Sequence, residues 1–402
     1  MMMMMMRMGK MRRRSITAAA IVDSITLWTM MALSTFSVAR CACDDIDKYF
    51  KNVGAGGEID LGSVIRVDCL PNADGEDLEQ IVIGTGKTLT IKSTQPFVRF
   101  VNVRFTVEDG ATLNFDIPVT RIGPNSGDSE NASGYVFDVY DDAVVTFAGK
   151  FRASRVKNVR SLFYSSGKIE FKGDALFNNN GNVFRSNIGT LKFRGNAVFK
   201  NNAFLAIDNS SEGSLVRFSK TAIFDNNGGG FDGASGCAVF NRGTVIFRDD
   251  TNFLNHKCSE GAAVANRGKM RFYGKAYFNN NKNFRELVGG LWNDGDLIFK
   301  GAAQFNGNEG EIGGGLAVTG GEVTFQKGVS FDSNGSKTTG GAFSVAYHSS
   351  LTFGKTNAVR TSDNFIIGGS QPVTGCSLGY VEQGGTLVGF GVDDVCVEDT
   401  VK

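Results

Sequence analysis

Residues 197–202 read AVFKNN, and close variants of this hexapeptide recur along the chain. The variants are ALFNNN at 175–180, AIFDNN at 222–227, AYFNNN at 276–281 and AQFNGN at 303–308. In each of them a Phe is followed three residues later by an Asn. A motif that returns at similar intervals predicts a repeat architecture in which every copy is one structural unit.

The repeat contains another Phe six residues upstream of the first, which we call the anchor. The anchors are Phe171, Phe193, Phe218, Phe247, Phe272, Phe299, Phe325 and Phe353, and they lie 22 to 29 residues apart. The downstream phenylalanines are Phe177, Phe199, Phe224, Phe253, Phe278, Phe305 and Phe331, with Val359 in the eighth copy. The asparagines are Asn180, Asn202, Asn227, Asn281, Asn308 and Asn334, and His256 takes this position once.

A glycine precedes six of the anchors by four residues. These glycines are Gly167, Gly189, Gly243, Gly268, Gly295 and Gly321. Asn or Ser often stands just before them, and this combination is typical of a turn in which Gly has a positive φ. An apolar residue lies between each Gly and its anchor, so the segment alternates like a strand with one buried face.

Each unit therefore reads as strand, tight turn, strand, bend, strand, Asn and loop. A three-strand unit of this length cannot bury its apolar face alone, but a stack of copies can. We predict an all-β protein, a right-handed parallel β-helix of roughly ten to twelve coils. The helix would span residues 81–392, with residues 40–80 as an N-terminal cap and residues 393–402 as a C-terminal tail.

The repeated Asn has two possible roles. It could form a row of binding sites, or its amide could hydrogen-bond the Asn of the next coil, as in the ladders that stabilise stacked parallel strands. We expect the structural role, because the Asn always follows the same apolar Phe at the same bend.

The N-terminus is typical of a targeting segment. The 402-residue chain starts with a basic region, and an uncharged stretch follows from Ile25 to Ala39. We predict a signal peptide or signal anchor over residues 1–39 and a secreted or cell-surface location. Removing its five basic residues and one acidic residue from a chain of net charge +1 leaves −3. We expect no nucleic-acid partner and no cofactor, and membrane contact only through an uncleaved N-terminal segment.

An exported chain permits disulfides and N-linked glycans. Cys237 and Cys258 lie 21 residues apart, close to one coil, and Cys376 and Cys396 have a similar separation. Each pair could form a disulfide between adjacent coils. Possible glycosylation sites are Asn131, Asn209 and Asn334. The last is also a repeat Asn, and an inward-facing amide cannot carry a glycan.

Basic residues flank the anchors at positions that should point outward. They are Lys172, Lys192, Arg194, Arg217, Arg248, Arg271 and Lys300, and we call them the basic strip. Like charges on adjacent strands are unfavourable, and one hypothesis is that the row binds an acidic polysaccharide or another polyanion. The alternative is a solvated face that loop acids such as Asp249 neutralise.

The pairing of Phe-x-x-Asn with Gly-Gly-Ala at 340–342, and with related triplets at 261–263, 289–291 and 314–316, resembles the repeat of the polymorphic outer-membrane protein family. That resemblance implies a β-helical passenger domain with an adhesive role at the cell surface. We expect a non-catalytic protein for adhesion or for interaction with extracellular polysaccharide or matrix. The alternative is a polysaccharide lyase or glycoside hydrolase with a β-helix fold, since a fold does not decide function. The adjacent acidic pairs do not form a catalytic dyad by themselves, because neighbours on a strand point to opposite faces.

Overall fold

A computed structural model describes residues 40–41, 56–68, 79–123, 134–156, 159–228, 236–258, 262–283, 288–354, 359–366, 378–389 and 395–397. They belong to a compact unit, Arg40–Lys402. Within these ranges the regular elements are all β-strands, and every pairing between them is parallel. The predicted all-β parallel β-helix is confirmed, with about ten turns.

The strands form four stacks, each running along the solenoid axis. Stack 1 contains β4 (Glu79–Ile83), β7 (Val103–Val107), β10 (Tyr135–Val139), β13 (Ser161–Ser165), β16 (Phe184–Asn187), β19 (Ile207–Asn209), β22 (Gly236–Asn241), β26 (Ala262–Asn266), β36 (Phe343–Val345), β40 (Gly379–Val381) and β42 (Val395–Val397). Stack 2 contains β2 (Gly57–Asp60), β5 (Thr88–Lys92), β8 (Thr112–Asp116), β11 (Val144–Phe147), β14 (Lys168–Phe171), β17 (Thr190–Phe193), β20 (Leu215–Phe218), β23 (Thr244–Phe247), β27 (Lys269–Phe272), β37 (Ser350–Phe353) and β41 (Thr386–Val388). Two long strands run through both stacks and join them, β30 (Leu291–Phe299) and β33 (Leu316–Phe325).

Stack 3 contains β1 (Arg40–Cys41), β3 (Arg66–Asp68), β6 (Val98–Val101), β9 (Val119–Ile122), β12 (Lys150–Ser154), β15 (Ala175–Asn178), β18 (Ala197–Lys200), β21 (Ala222–Asp225), β24 (Thr251–Leu254), β28 (Ala276–Asn279), β31 (Ala303–Asn306), β34 (Val329–Asp332) and β38 (Val359–Ser362). Stack 4 contains β25 (Lys257–Cys258), β29 (Lys282–Asn283), β32 (Glu309–Ile312), β35 (Gly335–Thr339) and β39 (Phe365–Ile366). Strands therefore extend into the segments predicted as cap and tail, and the domain boundaries themselves stay predictions.

Stacked phenylalanine rings fill the interior. The anchors continue a column that starts earlier, at Phe115 and Phe147, and ends at Phe353. Successive rings in this column are nearly parallel, for example Phe171 and Phe193 with centroids 5.0 Å apart. The downstream phenylalanines form a second column in stack 3, where Phe199 and Phe224 lie 4.8 Å apart. The spacing matches that of paired strands, so each ring is one rung of the core.

The repeated Asn residues form a buried ladder after stack 3. Asn202 accepts a hydrogen bond from Asn180 Nδ2 at 3.0 Å and donates to Asn227 Oδ1 at 2.7 Å. The series runs on to Asn364, with His256 as one rung. Asn202 is 1% exposed. The structural role predicted for the repeated Asn is confirmed.

The residue before each ladder rung has a positive φ. Asn201 has φ of 54°, and the same left-handed conformation recurs at Asn179, Asn226, Asn255, Asn280, Gly307, Ser333 and Asp363. Asn adopts this conformation more readily than most residues. The two asparagines of AVFKNN therefore differ in role. The first turns the chain and makes exposed or partly buried amide hydrogen bonds to Asn178 and Asn226, and the second is a buried rung between coils.

A second Asn ladder lies between stacks 1 and 2. Its rungs are Asn187, Asn209, Asn241, Asn266 and Asn293, joined by amide hydrogen bonds of 2.7 to 2.9 Å. All five are buried. The sequence predicts turn chemistry for the four of these that precede a repeat Gly, and Asn209 was predicted only as a glycosylation site. The structure shows that all five connect coil to coil.

The glycines before the anchors serve close packing rather than positive φ. Of the six, only Gly321 has a positive φ, of 62°. A Cβ at Gly189 would lie 2.0 Å from the carbonyl oxygen of Gly167 in the preceding coil. The prediction of positive φ was wrong for the other five. Glycine is needed there because a side chain would collide with the backbone of the preceding coil.

No helix among the described residues is long and apolar enough to span a bilayer. Residues 1–39, predicted as a signal peptide or signal anchor, lie outside the described residues.

Candidate polyanion-binding surface

The outer face of stack 2 carries the middle members of the basic strip. Leu191 and Phe193 are buried, and Lys192 between them is directed outward because strand residues alternate. Arg217 pairs with Lys192 in the next strand, and Arg271 takes the same position two coils further on. These three cations therefore share one column on the outer surface.

The other members of the strip directly follow an anchor Phe. The N–H of Lys172 donates to the carbonyl oxygen of Phe147 in the preceding coil at 2.9 Å. The residues with an equivalent bond are Arg194, Arg248 and Lys300. The backbone ladder thus aligns them along one edge of stack 2. All seven predicted residues lie on one face over six consecutive coils.

One buried carboxylate opposes the strip at its start. Glu170 is 5% exposed and contacts Lys168 at 3.2 Å and Arg194 more closely. Burial alone would raise the pKa of Glu170, but hydrogen bonds from Arg194 and Lys168 outweigh burial, so the pKa is lowered. Arg194 is therefore needed to compensate Glu170, and its positive charge is already balanced.

A second member of the strip is also paired. Arg271 forms an ion pair with Asp296 of the next coil, and its Nη1 also donates to the Asp296 carbonyl oxygen at 3.0 Å. Within the described part of the chain, Arg194 and Arg271 are therefore the two members of the strip whose charge is balanced by a neighbouring carboxylate.

An aromatic ring lies within the strip and was missed by the sequence reading. The guanidinium carbon of Arg248 lies 4.3 Å from the centroid of the Tyr273 ring, and Lys300 Nζ lies 4.6 Å from it. The two cations come from the preceding and the following coil. Tyr273 follows Phe272 at the position that Arg248 and Lys300 hold in their own repeats, and this is the sequence signal that could have found it.

Five members of the strip make no ion pair with the described part of the chain: Lys172, Lys192, Arg217, Arg248 and Lys300. Asp249, the acid named above as a neutralising group, makes no ion pair with these cations among the described residues. Its Oδ1 accepts a hydrogen bond from the N–H of Asp250 at 2.9 Å, which leaves its negative charge in place. The seven cations still outnumber Glu170, Asp296 and Asp249, so the strip keeps a net positive charge.

Two of the three predicted glycosylation sites are buried. Asn209 and Asn334 are each 0% exposed, and their amides are rungs of the two ladders. A buried, hydrogen-bonded amide cannot carry a glycan in the folded chain, so the expectation is corrected for these two. Asn131 lies outside the described residues.

The first predicted disulfide is present. Cys237 and Cys258 are bonded and have a Cα–Cα distance of 5.9 Å, so the pairing predicted from their separation is confirmed. Cys376 lies outside the described residues, and of Cys396 only the backbone, in β42, is described. The second pairing stays a prediction.

Among the described residues, no cluster of three or more His, Cys, Asp or Glu side chains is placed to hold a metal ion. The arrangement on stack 2 is a row of side chains that can attract and hydrogen-bond an anion, with one ring for stacking.

The fold and this surface define a parallel β-helix with a positively charged outer face. No protein-family profile, no curated protein and no solved structure matches the chain.

Proposed function

We propose that this chain is a non-catalytic β-helix protein, secreted or displayed at the cell surface, that binds an acidic polysaccharide or matrix component along the basic strip. The observation that carries the proposal is the row of five cations that have no carboxylate partner among the described residues, on the face that also holds Tyr273.

The spacing of the strip suits a linear polyanion. Successive coils are about 4.8 Å apart, as paired strands are. A glycan with an acidic group on each sugar repeats at close to this distance, so one chain lying along the axis would meet one coil per sugar. Each exposed contact is worth little. Affinity would come from the sum of several contacts and would fall as salt rises.

The likeness of the repeat to that of the polymorphic outer-membrane proteins supports an adhesive role. The motif residues are scaffold here: Phe199 and Asn202 are both buried. Binding is therefore assigned to the outer faces, where residues vary from coil to coil.

The test is retention of the full chain on immobilised acidic polysaccharide during a salt gradient. The strip variant carries Lys172→Gln and Lys192→Gln, neither of which breaks an ion pair among the described residues. The matched control carries Lys87→Gln and Lys257→Gln, which remove two exposed charges elsewhere. We expect the strip variant to elute at lower salt and the control to elute with the wild type. Equal elution of all three proteins would refute the proposal.

A further inference from the structure

We propose a second polyanion-binding site on a different surface, the outer face of stack 3 in the first coils. It consists of Arg66, Arg99, Arg121 and Arg152, which we call the arginine ladder. The pairings of successive strands join Arg66 to Arg99, Arg99 to Arg121, and Arg121 to Arg152. Four consecutive coils therefore present an arginine at the same position.

The strand geometry directs these side chains outward. The residues that follow the four arginines are inward-facing and buried: Val67, Phe100, Ile122 and Ala153. Since neighbours on a strand point to opposite faces, the arginines lie on the outer surface, about 4.8 Å apart from coil to coil. The site is thus a straight row of guanidinium groups parallel to the solenoid axis.

Two contacts hold the middle of the row in place. The guanidinium carbon of Arg121 lies 4.0 Å from the centroid of the Phe97 ring. Arg99 extends over Gly123 of the next coil, where a Cβ would lie 2.5 Å from Arg99 Nε. An aromatic ring and a missing side chain therefore position two neighbouring guanidinium groups before any ligand arrives, which reduces the entropy lost on binding.

The fold does not require arginine at this position. In the next three coils the same position holds Leu176, Val198 and Ile223. Like charges directly opposite one another on paired strands are destabilising. Arg121 and Arg152 form no ion pair with the described part of the chain. Arg121 and Arg152 are paired like charges at a position that later coils fill with apolar residues, and this points to an external anion as their partner.

The spacing favours a glycan over other polyanions. Acidic side chains on one face of an extended peptide repeat at about 6.6 Å, and nucleotides of a DNA strand advance by about 3.4 Å along the helix axis. An acidic group on each sugar of a linear glycan comes closest to the coil spacing. Arginine also binds carboxylate, sulfate and phosphate groups through two parallel hydrogen bonds, unlike lysine. The site therefore takes a linear glycan that carries carboxylate or sulfate groups.

This inference shares the ligand class of the proposed function but uses other residues, so the two can fail separately. The experiment measures affinity of the full chain for a polyuronate, a sulfated glycosaminoglycan, a poly-glutamate peptide and double-stranded DNA. The ladder variant carries Arg121→Gln and Arg152→Gln, and the control again carries Lys87→Gln and Lys257→Gln. Arg152→Gln alone, at an exposed position, serves if the double variant does not fold.

We expect the ladder variant to lose roughly tenfold in affinity for at least one of the two glycans, about 1.4 kcal/mol, while the control does not. The glycan with the larger loss identifies the acidic group. Wild-type affinity of the ladder variant for both glycans would overturn the inference. A ladder-dependent preference for the peptide or for DNA would overturn the assignment to a glycan. Loss in the ladder variant with none in the strip variant would uphold this site and refute the proposed function.

Discussion

At the scale of the residue, AVFKNN has a separate task for almost every side chain. Phe199 is a ring in the core, and Lys200 is outside, paired with Asp225 of the next coil at 2.9 Å. Asn201 turns the chain, and Asn202 is a ladder rung. The Phe and the second Asn could be predicted because they recur at fixed spacing. The role of the first Asn could not, since a positive φ leaves no periodic signal of its own.

We expect mutations of the two asparagines of this hexapeptide to differ in how much stability they cost. Asn202→Ala removes an amide that bonds two neighbouring coils and leaves buried groups unpaired, so we expect a loss of about 1–3 kcal/mol in the free energy of unfolding. Asn201→Gly keeps the left-handed conformation available and removes only exposed or partly buried amide bonds to Asn178 and Asn226, so we expect a smaller loss, below about 1 kcal/mol. Urea denaturation of both variants measures the difference. Equal losses would argue against the division of tasks.

His256 predicts a specific pH dependence. Burial lowers its pKa from 6.5 to about 4. Because the unfolded chain takes up the proton first as pH falls, stability decreases from about pH 6.5 down to pH 4, by about 3 kcal/mol in total. In His256→Asn the ladder is kept and this dependence is lost. The measurement is the unfolding free energy of the wild type minus that of His256→Asn, taken at pH 7 and again at pH 4.5. The carboxylates that both proteins share cancel in this difference. A constant difference would contradict the assignment.

At the scale of the element, adjacent coils pack with their backbones in close contact at the glycine turns. The turn between stacks 1 and 2 places glycine on glycine, as with Gly189 above Gly167. The positions of these glycines were predictable from their fixed distance to the anchor. The reason for glycine at these positions was not predictable, because it depends on backbone atoms of another coil.

A pair of glycine substitutions tests this packing. In Gly189→Ala the new Cβ meets a backbone oxygen at 2.0 Å, and neighbouring coils must separate. We expect a loss of at least about 2 kcal/mol in stability. At Gly213 a Cβ would meet nothing within 4 Å, so Gly213→Ala is the control and should stay within about 0.5 kcal/mol of wild type. Thermal unfolding compares them, and a stable Gly189→Ala protein would contradict the close approach.

At the scale of the whole molecule, the sequence predicted the architecture better than the surfaces. Anchors such as Phe171 and Phe193 indicate stacking because their periodicity reflects the core directly. The arginine ladder escaped notice because Arg66, Arg99 and Arg121 are separated by loops of unequal length. Only the strand register brings them together. Tyr273 was overlooked since its role depends on cations from two other coils.

The buried repeat residues therefore build the fold, and the outer residues are the ones available for binding. The two Asn ladders and the Phe columns account for the repeat, and all of their rungs up to Asn334 are buried. What varies between coils on the outer faces is charge: the basic strip on stack 2 and the arginine ladder on stack 3. Both surfaces fit the proposal that this protein binds an acidic glycan and leaves it intact.

The most direct test is to incubate the full chain with an acidic polysaccharide of known length. Two quantities are then measured together: the fraction bound as salt rises, and the molar mass of the recovered polysaccharide. Binding at low salt, release at high salt and an unchanged molar mass are the predicted results. Shortened polysaccharide would instead assign a lyase or hydrolase activity, and absence of binding at low salt would contradict the central claim.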